Sequence, residues 1–462
     1  MEDIDHLSLR EIGKRLRAGA TSAMELAEGA LSRVRFGAYR EVDEAKTLAQ
    51  AAAADAAFSA GRDLGPLQGI PISVKDLYGV PGYGTWAGSP ARLPARFETA
   101  GPVVRAALDQ LATVVGKTHT VEFAFGGVGT NPHHPTPINP WDSLDHRAPG
   151  GSSSGAGVSL AEGSALLAFG TDTAGSVRIP ASWTGNAALK TTWRRWSTEG
   201  IVPLSPSLDT AGLLARTVDD LALAFEVIDG GPRILQPPIS SLRLGRCDEL
   251  LFDGCSPGVV EAIEQALSEL AGAGAEVVSS ELPEALEAFD LLKQGGPVAA
   301  ELYHFLSTEI PERLESLDPN VRTRIGGAAQ LTAVEYLQRL KRMRALSARA
   351  DERLSSVDLL VSPTVANTPP RLADIDSPGR YGPQNLLCLR NTSVVSYLGL
   401  CAVTIPVGTD RAGMPVGLQL IGRSSEDRHL LAWASSCEAV LGTGRDRLGR
   451  PPRVEAGDGE AD

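Results

Sequence analysis

The 462-residue sequence predicts an α/β fold: a large mixed, mostly parallel β-sheet covered by helices on both faces. Three observations point to it. Short apolar runs bounded by Gly and Pro alternate with helical patterns, the order in which strands and crossing helices build a two-faced sheet. Hydrophobic residues make up 43% of the chain but aromatics only 5%, so Ala, Leu, Val and Gly must fill a sizeable core. Residues 126–157 are dense in Gly, Pro, Asn and Ser, and structureless loops of that length inside compact domains are often functional.

The elements can be justified in order. Residues 1–19 read as a short amphipathic helix with charge on one face, not as an apolar leader. Ser22-Ala23-Met24-Glu25 has the pattern of a capping box opening a second helix. An Ala-rich helix is expected over 43–60. Gly69-Ile-Pro-Ile-Ser-Val-Lys75 reads as a buried strand ending near Lys75. A helix over 102–111 and a strand over 113–117 follow. A small-residue helix is expected over 158–169, then a Gly/Thr-rich turn, then a helix opened by Pro180. Further strands are expected at 275–280, 359–362, 402–407 and 416–421. Residues 283–355 read as a charged helical insertion or cap within one domain spanning 1–454, and 455–462 as an acidic, disordered tail.

A formal charge of −13 argues against a nucleic-acid backbone as partner. No window approaches eighteen apolar residues, so no membrane span is expected. Cys247, Cys255, Cys388, Cys401 and Cys437 are scattered and odd in number, which reads as reduced, partly buried thiols in a cytoplasmic protein. His133-His134 reads as loop surface, and two histidines offer too few ligands for a metal.

Two Gly/Ser-rich turns flank the small-residue helix: Gly150-Gly-Ser-Ser-Ser-Gly155 and Gly170-Thr-Asp-Thr-Ala-Gly-Ser176. Successive N–H groups in such turns can cradle negative charge, either a phosphate or the oxyanion of an acyl-transfer intermediate. Neither turn has the Lys of a P-loop or the spacing of a dinucleotide loop. Gly151-Ser-Ser-Ser-Gly155 matches the nucleophile elbow formally, but the preceding Asp145-His-Arg-Ala-Pro149 does not read as a strand and no His stands in a triad context. A serine needs a base, and a lysine can serve when burial disfavours its charge; Lys75 is placed for that.

The stretch from Gly150 to Lys190, with Gly69–Asp76 upstream and Pro415–Gly422 downstream, closely resembles the amidase signature family over most of the chain. The resemblance implies the amidase signature fold and hydrolysis of a carboxamide C–N bond through a seryl acyl-enzyme. It implies a Ser–cis-Ser–Lys triad: Ser176 as nucleophile, Ser152 as the relay held by a cis peptide, Lys75 as base. The N–H groups of Thr173, Ala174 and Gly175, with that of Ser176, would form the oxyanion hole. Ser153, Thr171, Asp172 and Arg178 would orient the two turns. No metal and no cofactor are implied, the substrate is a small-molecule amide, and a homodimer is the expected assembly. Many relatives read Gly where this chain has Ala174, which makes Ala174 the least secure donor.

Three alternatives remain. The glutaminase subunit of a tRNA-dependent amidotransferase usually has Gln at the position of Ile179 and a different run from Thr192-Trp-Arg-Arg-Trp-Ser197; a free-standing amidase fits better. Hydrolysis of a urea-derived or carbamoyl amide and a non-catalytic binding relative are the others. Phe123, Phe125, Val128 and Trp183, with Trp193, are the expected pocket lining. Arg390, in the region where relatives often place substrate contacts, is expected to pair with a substrate carboxylate.

Overall fold

A computed structural model describes residues 6–458. Eleven strands form one sheet. They are β1 (Tyr39–Val42), β2 (Pro71–Lys75), β3 (Thr113–Thr118), β4 (Leu167–Asp172), β5 (Ala187–Lys190), β6 (Thr210–Ala215), β7 (Arg243–Arg246), β8 (Glu276–Ser279), β9 (Leu359–Pro363), β10 (Cys401–Thr409) and β11 (Pro415–Gly422). Their order across the sheet is β1-β3-β2-β4-β6-β5-β10-β11-β9-β7-β8.

The sheet is mixed, but the expected parallel majority is absent. β2 pairs in parallel with β3 and β4, and β7 with β8 and β9. The pairings from β4 through β6, β5, β10 and β11 to β9 are antiparallel, as is that of β1 with β3. Every residue of β2 to β6, β9 and β11 is buried, which requires helices on both faces. Edge strands β1 and β8 are only partly buried.

Helices Leu9–Arg17, Ala23–Ser32 and Glu44–Ser59 stand where expected, and Ser22 and Glu25 form the reciprocal capping box. The small-residue helix is shorter than expected. It runs Ser154–Ala161 rather than 158–169, and Leu167–Phe169, expected at its end, opens β4. Its glycines explain its position. A Cβ on Gly155 would strike the Ala38 carbonyl, and one on Gly157 would press on the Thr184 hydroxyl and Pro180 carbonyl. Only a bare backbone fits between the sheet and helix Arg178–Thr184.

Residues 283–355 form helices, the longest being Glu284–Lys293, Val298–Glu309 and Ala333–Arg353. Their buried Leu302, Leu306 and Leu346 share a hydrophobic cluster with Val394, Tyr397 and Leu400 of the late region. Helix Pro378–Tyr397, unforeseen in the sequence, is buried along its second half. The acidic tail departs from its expectation at residues 455–458, which close a helix over Pro452–Asp458; residues 459–462 lie outside the described residues. All five cysteines are free thiols. No helix among the described residues is long and apolar enough to cross a membrane.

Candidate active site

Parallel strands β2 and β4 are neighbours in register, Val74 opposite Phe169, so both end at the same edge of the sheet. Crevices at the carboxyl ends of strands are where open α/β sheets place their ligands. Side chains alternate along a strand, so Ser73 and Lys75 share a face. Ser73 Oγ meets Ser159 Oγ of helix Ser154–Ala161 at 2.9 Å. Lys75, two residues on, reaches the turn before that helix. Its Nζ donates to Ser152 Oγ and to Thr171 Oγ1, each at 2.7 Å. Lys75 is wholly buried, and no carboxylate forms an ion pair with it among the described residues. Burial pulls its pKa down to about 7, against the opposing fields of Asp172 and Asp209.

The peptide between Gly151 and Ser152 is cis. The two turns are tied together: Ser153 N–H donates to the Ser176 carbonyl at 3.2 Å, and Ser153 Oγ donates to the Thr171 carbonyl at 3.3 Å.

Asp172 and Arg178 build the second turn. Their side chains are fully buried, with Arg178 Nε and Nη2 reaching the two carboxylate oxygens at 3.0 and 2.9 Å. Arg178 continues to Gln419 Oε1 at 2.7 Å and Ser396 Oγ at 2.9 Å, anchoring the turn to β11 and the late helix. Burial alone would raise the Asp172 pKa, but the Arg178 guanidinium and the Lys190 charge hold it below the ordinary value. The carboxylate also takes the N–H groups of Gly175 at 2.7 Å and Val177 at 3.3 Å. Among the described residues no acceptor takes the N–H of Thr173, Ala174 or Ser176. Gly175, expected as an oxyanion donor, thus has its N–H engaged by Asp172. Ala174 is not strained, because its φ is negative; Gly175, at φ 140°, is where the turn requires glycine.

Ser176, Thr173 and Ala174 line a cavity of about 380 Å³. Of the expected lining residues only Phe125 faces it. Phe123 and Val128 are fully buried in the core, and Trp183 is buried with its indole N–H on the Asn367 carbonyl. Trp193 faces other surface grooves. Arg390 is turned away: its guanidinium donates to the carbonyls of Asp253 at 2.6 Å and Leu251 at 3.3 Å. The sequence reading missed Arg324, Asn385, Leu389 and Tyr397, which do line the cavity. His133 and His134, expected at the surface, are half-buried, and His133 Nε2 lies 3.1 Å from Glu122.

Comparison with known proteins agrees with this architecture. The Amidase family profile matches residues 30–431. A 2-amino-5-chloromuconic acid deaminase from Comamonas testosteroni is 49% identical, covering 96% of this chain and 98% of its own. A glutamyl-tRNA(Gln) amidotransferase subunit from Symbiobacterium thermophilum is 34% identical over 93% of this chain and 96% of its own. A solved amidase superposes with a TM-score of 0.85 at 32% identity, covering 94% of this chain and all of that one. The chain belongs to the amidase family, enzymes that hydrolyse amide C–N bonds.

Proposed function

We propose that this enzyme is a free-standing amidohydrolase acting through a seryl acyl-enzyme on Ser176, with Ser152 as relay and Lys75 as base. The observation that carries the reading is the 2.7 Å approach of a buried, carboxylate-free Lys75 Nζ to Ser152 Oγ. A lysine with a pKa of about 7 is neutral in a large fraction of molecules at neutral pH. Neutral Lys75 accepts the Ser152 proton, Ser152 accepts that of Ser176, and Ser176 Oγ attacks the carbonyl carbon. The N–H groups of Thr173, Ala174 and Ser176 receive the oxyanion. The intermediate collapses with cleavage of the C–N bond, and the relay returns a proton to the departing nitrogen. Water, deprotonated by the same relay, hydrolyses the ester and frees Ser176.

Fluorophosphonate labelling tests the assignment. Wild-type enzyme is expected to be labelled at Ser176 and Ser176→Ala not at all; undiminished labelling of Ser176→Ala would overturn it.

The 49% relative favours a second reading, in which the same site releases ammonia from a 2-amino-muconic acid rather than a carboxamide. Ammonia assays on both compound types separate the two. The glutaminase reading predicts ammonia from glutamine, at a rate that rises when a partner subunit is added.

A further inference from the structure

We propose that the cavity beside Ser176 selects substrates carrying a free carboxylate, bound by Arg324 and Tyr397 while the C–N bond lies at Ser176. The reacting end of this substrate rests on the amidohydrolase reading; the binding of the carboxylate does not.

Two polar atoms of residues that line the cavity are buried without a hydrogen bond. Arg324 Nη1 is shielded from solvent and meets no acceptor, and the Tyr397 hydroxyl is likewise buried without a hydrogen bond. A shielded cationic donor without an acceptor is costly, so native proteins normally satisfy it. The available carboxylates are committed elsewhere. Arg324 forms no ion pair among the described residues. Asp318 caps the short helix Pro319–Ile325 that carries Arg324, accepting from Asn320 N–H at 2.8 Å.

The charge of the cavity points the same way. Its lining contains no Asp or Glu and two cations, Arg324 and Lys293. Lys293 is matched by Asp290 at 2.6 Å, whereas Arg324 has no ion-pair partner among the described residues and feels the Tyr381 hydroxyl and the field of Asp318, outside ion-pair distance. The guanidinium is also held in place. It stacks over the Phe125 ring at 3.7 Å from the centroid, which restrains its plane. Gly296, at φ 49°, brings bare backbone against the Tyr397 phenol. A fixed guanidinium without an ion-pair partner, in a cavity that also presents an open phenolic donor, is a carboxylate receptor by its chemistry.

The test compares succinate, glutarate and adipate with their diamides, by titration calorimetry, on wild-type enzyme and on Arg324→Gln and Tyr397→Phe. At least one diacid is expected to bind about 10-fold or more tightly than its diamide. Arg324→Gln should remove that preference, and Tyr397→Phe should reduce it. The urea midpoint of Arg324→Gln is expected to be equal or higher, because an unmatched cation is removed. Equal binding of diacids and diamides by wild type, or a preference surviving in Arg324→Gln, would overturn the proposal. The corresponding monoamides and diamides are then compared as substrates. Hydrolysis without charge preference sinks the carboxylate subsite and keeps the amidohydrolase. Diacid preference without hydrolysis of any amide does the reverse.

Discussion

The Asp172 carboxylate takes the Gly175 N–H at 2.7 Å and so withdraws that donor from the cavity. The same carboxylate is the only ion-pair partner of the buried Arg178 among the described residues. One side chain therefore shapes the turn and neutralises the cation that anchors it. Asp172→Asn keeps the size and removes the charge, leaving Arg178 buried and unmatched. It should cost about 3–5 kcal/mol in urea unfolding. Replacing both residues with apolar ones should cost less than the sum of the single changes, a coupling a double-mutant cycle measures.

Gly175 tolerates no side chain. A methyl there would occupy the space of the Thr392 hydroxyl, which donates to the Ala174 carbonyl at 2.7 Å, and φ 140° is itself disfavoured for L-residues. Gly175→Ala should lose about 1–3 kcal/mol from the backbone alone. Because it shifts the turn that bears Ser176, kcat should fall more steeply than the unfolding midpoint. Ala174→Gly should be mild by both measures, since Ala174 already sits at ordinary φ.

Lys75 sets a pH dependence whose sign is fixed. In the proposed relay the neutral amine is the base, so kcat/KM should climb as pH rises through about 7 and level off above it. Lys75→Arg should be inactive throughout, because a guanidinium does not deprotonate. Stability carries the same signature. The folded pKa of about 7 lies below the unfolded value of roughly 10.4, so the unfolded chain binds the extra proton between them. Stability contributed by this group thus increases with pH across that window, and Lys75→Met should flatten the slope in pH-resolved urea titrations.

In the proposed relay Thr171 orients the base. Its hydroxyl accepts from Lys75 Nζ at 2.7 Å, as does that of Ser152, so a neutral Lys75 can keep donating to Thr171 while its lone pair takes the serine proton. Thr171→Val should lower kcat by about 10-fold to 100-fold with KM nearly unchanged, within the range for general-base catalysis. Thr171→Ser should restore most of it. Equal kcat for Val and wild type would remove Thr171 from the relay.

The segments that build this candidate site were legible because residue identity carries them, while the roles of their residues came from the family resemblance. The two Gly/Ser turns, the strand ending at Lys75, and the pair Asp172 and Arg178 are local in sequence, and their spacing survives into the fold. The cavity wall was not legible, because it is assembled by long-range packing. Arg324 sits in Asn320-Val-Arg-Thr-Arg324, a run that reads as a solvated helix face, and only the docking of the 283–355 helices turns it inward. Arg390 misled for the opposite reason: its neighbourhood is correct, but the rotation of helix Pro378–Tyr397 aims its guanidinium at the 251–253 carbonyls. The helix–strand error at 167–169 arose because a small, apolar, fully buried run has no distinguishing period.

Three lysines in this sheet are buried almost completely, and each has been given different company. Lys117 meets the carboxylate of Asp76 at 3.4 Å, and Lys190 meets the carbonyls of Thr191 and Leu400. Lys75 meets two hydroxyls. A carboxylate or a carbonyl pair rewards the ammonium and would be left stranded by its deprotonation. A hydroxyl can donate as readily as it accepts, so it suits both states of the amine. The neighbours of this one lysine thus tolerate both of its protonation states, and a single acid introduced at Thr171 would turn the proposed base into a third structural cation.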